Sequence, residues 1–156
     1  MAAGFNCAPE GVEAFHAFLD ARLAKASELP AAAALVVEGR VAVAGATLGL
    51  AREVGRLAPF GMGNEEPVLV LPRARVVRAD RCGREGTALR VLVEGEGGGR
   101  LRAMLFRARE GSREGALAKV LEGRAGEPVQ LAGHLRAESW QGEERVGFTV
   151  VDAAPG

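Results

Sequence analysis

The chain has 156 residues, 48% of them apolar, and 20 basic side chains that balance 20 acidic ones. That length supports one good core or two small ones; no apolar run approaches the span of a bilayer, and the start lacks the basic-then-apolar pattern of a signal peptide. Cys7 and Cys82 stand far apart with no CxxC or Cys/His spacing, which argues against a disulfide framework or zinc site and for a reducing cytoplasm.

The first predicted element is a helix from Gly11 to Ala26. Val12, Phe15, Leu19 and Leu23 recur at three- and four-residue steps with Phe18 beside them, the spacing of one buried face. Pro9 and Glu10 suit its first turn. Pro30 ends that region. Leu35–Glu38 and Arg40–Val43 are β-prone runs around Gly39, which predict one kinked strand or a tight hairpin. Thr47 suits the N-cap of a second helix over about 48–58, with Leu48, Ala51, Val54, Leu57 and Ala58 inward.

The run Leu57-Ala58-Pro59-Phe60-Gly61-Met62-Gly63-Asn64-Glu65-Glu66-Pro67 then breaks the pattern. Pro59 fixes its own φ and biases Ala58 away from helical geometry, so the helix should stop there. Gly61, Gly63 and Asn64 tolerate backbone angles closed to other residues. Pro67 opens an apolar run where a missing N–H is cheap.

Beyond Pro67, strands are predicted at 68–80, 87–94, 100–106, 128–137 and 145–152, with a helix near 113–122. Leu89, Val91 and Val93 share one face, and Leu101, Ala103 and Leu105 repeat the alternation. Leu117, Val120 and Leu121 would lay an apolar stripe from the helix across one end. Three strands, a helix and a two-stranded hairpin is the chain order of an OB-fold. The fold class expected is therefore mainly β with α: a five-stranded OB barrel preceded by a small α/β remnant, with domains at 1–66 and 67–156. Gly95–Gly99 lies between two strands and reads as a hairpin loop, not a phosphate cradle.

The neutral total hides an asymmetry. Residues 1–67 carry five basic and eight acidic side chains, a balance of −3; residues 68–156 carry fifteen and twelve, a balance of +3. Between 72 and 109, ten arginines meet Asp80, Glu85, Glu94 and Glu96, a local +6. Such a stripe reads either as a binding surface or as a solvated sheet face in an arginine-rich chain.

Arg73 and Arg75 are expected on one side of the first barrel strand, with Arg90, Arg100 and Arg102 opposite the apolar positions of the next two. Arg81 and Arg84 fall in the loop after the first strand, and Trp140 in the loop Ser139–Glu144. An OB barrel binds nucleic acid across its second and third strands and these loops, where arginine meets phosphate and an exposed tryptophan stacks on bases. Phe106 and Phe148 read as packing. His16 and His134 have no companion at metal-ligand spacing, and the acidic residues are scattered singly, so no metal site or catalytic residue is predicted.

The segment 57–67 resembles the "APFGxGNPEP" junction of the RecJ family of single-strand-specific exonucleases, with Glu65 where that family usually has proline. Met1-Ala2-Ala3-Gly4-Phe5 is similar to the tail of the family's "GGHxxAAGF" signature. Leu135–Gly142 with Val146–Asp152 is similar to its last hairpin. The family's DHH motifs and its Gly-Gly-His have no counterpart here. The resemblance implies the C-terminal portion of such a protein: the end of a DHH-associated domain plus an OB-fold, itself non-catalytic and without cofactor. It also implies a longer parent that degrades single-stranded DNA from the 5′ end with Mn or Mg, in DNA recombination and repair in the cytoplasm. Single-stranded DNA and the missing N-terminal catalytic domains are the partners this implies, with no membrane. The alternative is a docking module, in which the barrel meets a single-strand-binding protein or those catalytic domains.

Overall fold

A computed structural model describes residues 8–25 and 34–156, apart from the side chains of residues 23–25 and of Trp140. Contacts divide the chain into two units, Met1–Leu35 and Val36–Gly156. In the first, a 3-10 turn at Pro9–Gly11 leads into α1, Val12–Lys25. Val12, Phe18 and Leu19 are exposed, and the Arg22 guanidinium lies 5.4 Å from the centre of the Phe18 ring. The predicted inward Leu23 side chain and Pro30 lie outside the described residues.

The second unit opens with β1, Gly39–Arg40, which pairs parallel with Leu69–Val70 of β2, Leu69–Cys82. The expected kinked strand or hairpin does not form. Instead the chain turns at Val43–Gly45, where Val43 is buried. The turn packs on the loop Gly95–Gly99: a Cβ on Gly95 would stand 2.8 Å from Val43 Cβ, and one on Gly99 3.0 Å from Ala44 Cα. That close approach is what the glycine-rich loop provides. β1 also covers the edge of β2 ahead of its antiparallel pairing over Arg75–Cys82, which leaves less backbone unpaired.

Helix α2 spans Leu48–Gly55, with Thr47 Oγ1 accepting from the Leu50 N–H at 3.2 Å as N-cap. It stops short of 58, so Ala51 is buried but Leu57 and Ala58 are exposed rather than inward. The junction that follows is pinned by the Asn64 amide, which donates to the Leu57 and Pro59 carbonyls, both at 2.9 Å. Gly63 has φ +86°, and Gly61 and Asn64 close a tight turn on each other. Glu66 then pairs with Arg136, while His134 Nδ1 lies 3.1 Å from the Pro67 carbonyl.

Strands β3 (Ala88–Glu94), β4 (Arg100–Leu105), β5 (Pro128–Trp140) and β6 (Glu143–Pro155) complete the barrel with β2. Their order is β2-β3-β4-β6-β5, closed by β5 pairing back to β2. Only the β4–β6 contact within the barrel is parallel, at Ala103–Phe148 and Met104–Thr149. This is the five-stranded OB architecture that the sequence predicts. Leu89, Val91, Val93, Leu101, Ala103 and Leu105 all point into the core, joined by Leu71, Val76, Leu131 and Phe148.

Helix α3, Arg113–Gly123, closes one end. Ser112 Oγ caps it by accepting from the Gly115 N–H at 2.9 Å. Its buried stripe is Gly115, Ala118 and Leu121, so Val120 points to solvent, contrary to expectation. Gly115 is required by the approach of the Arg109 carbonyl, 1.9 Å from where a Cβ would stand. The last hairpin is longer than predicted: its strands run to Trp140 and resume at Glu143. Its turn is only Gln141-Gly142, both at positive φ, a pairing of angles that matches strand twist. No described helix is long and apolar enough to cross a membrane.

Candidate nucleic-acid interface

The outer face of β2, β3 and β4 is set by side chains alternating with the core. On β3 these are Arg90, Leu92 and Glu94; on β4, Arg100, Arg102 and Met104. β2 is less regular, because a bulge between Val76 and Arg78 shifts its parity. Arg75, Arg78 and Asp80 therefore face outward together. Cross-strand register arranges the nine residues in three rows: Arg75–Glu94–Arg100, Arg78–Leu92–Arg102 and Asp80–Arg90–Met104.

Five guanidinium groups and two carboxylates share this patch, a surplus of three positive charges. Arg78 pairs with Asp80 at 2.7 Å and Arg100 with Glu94 at 3.3 Å. Among the described residues, Arg75, Arg90 and Arg102 are exposed and make no ion pair. Three unneutralised guanidinium groups around the half-buried Leu92 give a surface that attracts phosphate and offers an apolar centre.

The remaining expected residues disperse. Arg73 has φ +48° at the point where β2 slips register against β5, and it pairs with Glu96 at 3.2 Å. It lines the same cleft as Arg75, at the edge of the rows. Arg81 is not in a loop: it lies in β2, and the bulge turns it toward α3. There it donates to both Glu122 oxygens, at 2.6 and 3.2 Å, and to the Ala108 carbonyl at 2.7 Å. The Glu122 hydrogen bonds push the Arg81 pKa above its ordinary value. With its fork committed, Arg81 clamps the helix onto the barrel. Arg84 is exposed in the turn Arg84–Gly86 between β2 and β3, as placed from sequence.

Trp140 is not in a loop either; it ends β5, in register with Glu143. Its side chain lies outside the described structure. Thr149, beside Met104, pairs with His134, six residues before Trp140. The Trp140 backbone is thus about 20 Å along the hairpin from the rows. Glu138, Glu143 and Glu144 share that hairpin tip. Phe148 is buried as expected, but Phe106 is half exposed. Arg78, Met104 and Phe106 belong to this surface and were missed. The even-numbered alternation Arg100, Arg102, Met104, Phe106 was the available signal for the last two.

Among the described residues no group of three or more His, Cys, Asp or Glu side chains is placed to hold a metal ion. The RecJ OB domain model matches residues 37–152. Two solved structures of Thermus thermophilus RecJ are similar over 98% of this chain, each with a TM-score of 0.55. The one in complex with Mn2+ is 24% identical and the one in complex with Mg2+ 22% identical. The chain spans about a fifth of their length, 20% and 21% respectively. No curated protein sequence matches it.

Proposed function

The chain belongs to the RecJ OB domain family, and on that premise we propose that the outer face of β2–β4 holds single-stranded DNA for a longer exonuclease. The observation that carries this reading is the set Arg75, Arg90 and Arg102, aligned across three strands with no ion-pair partner among the described residues. Phosphate charges would neutralise them. In this reading the barrel grips the strand while a catalytic portion, with its divalent metal, cleaves from the 5′ end in recombination and repair. Residues 1–66 are then the C-terminal part of the preceding DHH-associated domain.

A second reading has its own support. Leu57 and Met62 on the junction are exposed, Met62 fully. That apolar tip favours a docking role toward the catalytic domains, on a surface separate from the arginine rows.

The test is binding of the full chain to a labelled oligothymidine and to a duplex of equal length. The arginine face predicts preference for the single strand, weakened for all base sequences by Arg90→Ala with Arg102→Ala. Unchanged binding in that double variant, or a preference for duplex, removes the reading.

A further inference from the structure

The outer face does not stop at the third row. Continuing the register, Cys82 pairs with Ala88, and Phe106 follows Leu105, which pairs with Leu89. Cys82, Ala88 and Phe106 therefore form a fourth row on the same side as Arg90 and Met104. Here β4 and β6 part company, because their pairing ends at Met104–Thr149. The gap is a groove of about 800 Å3 whose lining includes Cys82, Ala88, Met104, Phe106, Thr149 and Val151. That volume is of the order of small-ligand sites.

Two features distinguish the groove from ordinary surface relief. Phe106, just past β4, is 50% exposed, whereas the inward Leu101, Ala103 and Leu105 are at most 2% exposed and the outward Met104 is partly buried. Arg107, next to it, has φ +56°, an uncommon conformation for a side-chain-bearing residue and one that surrounding structure must hold in place. It is held: the Arg107 carbonyl accepts from the Arg109 N–H at 2.7 Å and from Ser112 Oγ at 3.2 Å. Arg107 and Arg109 line the groove, both exposed and without an ion pair among the described residues, and beside them Arg113, which pairs with Asp152, and Glu114 also line it.

We propose that this groove takes an unstacked base of the strand held by the arginine rows, with Phe106 as the stacking surface and Arg107 and Arg109 meeting the phosphate beyond it. The proposal rests on the reading of those rows as the strand's track. Continuity of the face and the cationic rim select nucleic acid as the occupant. A flat apolar ring between two sets of guanidinium groups matches a base flanked by phosphates. The ring accepts any base, because every base has a π-face.

The experiment compares the full chain's affinity for oligothymidine and for an abasic oligomer of equal length, which keeps the phosphates and lacks the bases. The wild type binds the oligothymidine about 5- to 140-fold more tightly. Phe106→Ala and Phe106→Leu lose that ratio and keep the dependence on salt, whereas Phe106→Tyr retains it. Because the ring is half exposed, thermal midpoints confirm that these variants stay folded. If the wild type binds both oligomers equally, or if Phe106→Leu preserves the full ratio, the groove is no base site and the proposal falls. Either result leaves the arginine reading standing. That reading fails separately, if Arg90→Ala with Arg102→Ala leaves binding unchanged.

Discussion

Replacing Glu66 by glutamine tests how the junction is fastened to the barrel. The Glu66 carboxylate accepts two hydrogen bonds from the Arg136 guanidinium, 70 residues away in sequence. Its side chain is 13% exposed and that of Arg136 53%. A hydrogen bond to a charged group contributes about 1.5–3 kcal/mol. Exposure of the arginine lets water compete, so the pair as a whole is worth about 2 kcal/mol. Glutamine keeps the shape but turns an N–H₂ toward the guanidinium, and that stabilisation goes. In a chain of this size the thermal midpoint drops by about 4–8 °C. The effect depends on pH with a defined sign. The Arg136 hydrogen bonds hold the Glu66 pKa below its ordinary 4.5; burial opposes them, and the charges on His134 and Arg136 assist. A carboxylate with a lowered folded-state pKa contributes fully above the unfolded value and loses that contribution as pH falls through the folded one. Urea unfolding at pH 7 and at successively lower pH should therefore show the gap between wild type and Glu66→Gln narrowing below about pH 4.5. Equal stability at pH 7, or a gap that persists unchanged into acid, would refute the argument.

Two further predictions concern the fold. Gly133→Ala places a Cβ 2.1 Å from the Thr149 carbonyl oxygen, whereas Gly97→Ala meets nothing within 4 Å; chemical denaturation should find the first destabilised by about 1–3 kcal/mol and the second near neutral. Hydrogen exchange should be slowest in β3 and the first half of β5, whose core side chains are fully buried, and faster in α1, which buries none of its described side chains; slower exchange in α1 than in β3 would overturn this.

The barrel was legible because its strands obey a period of two and its turns carry glycine. Leu89–Val93 and Leu101–Leu105 needed no tertiary information to be placed inward. What sequence could not supply was register. The bulge after Val76 sends Arg78 to the outer face and Arg81 toward α3, and nothing local announces an extra residue in a strand rich in arginine. On the helix, Leu121 is buried and Leu117 packs against the core as expected, but the small Ala118 and not Val120 completes the buried face. Pro59, Gly63 and Asn64 signalled the junction correctly, but its fastening by Glu66 and Arg136 spans 70 residues and leaves no local trace. Polar residues at 139–144 suggested a loop, while the hairpin's own pairing extends the strands to a two-residue turn. Trp140 thereby moves away from the arginines it was expected to join.

The central claim is that Arg75, Arg90 and Arg102 neutralise phosphates, and the salt dependence of oligothymidine binding tests it most directly. Each phosphate contact on a single strand contributes about −0.7 to the slope of log K against log salt. These three contacts contribute about −2 to the wild-type slope, and Arg90→Ala with Arg102→Ala makes the slope shallower by about 1.4. A double variant whose slope equals that of the wild type would place the DNA elsewhere on this chain.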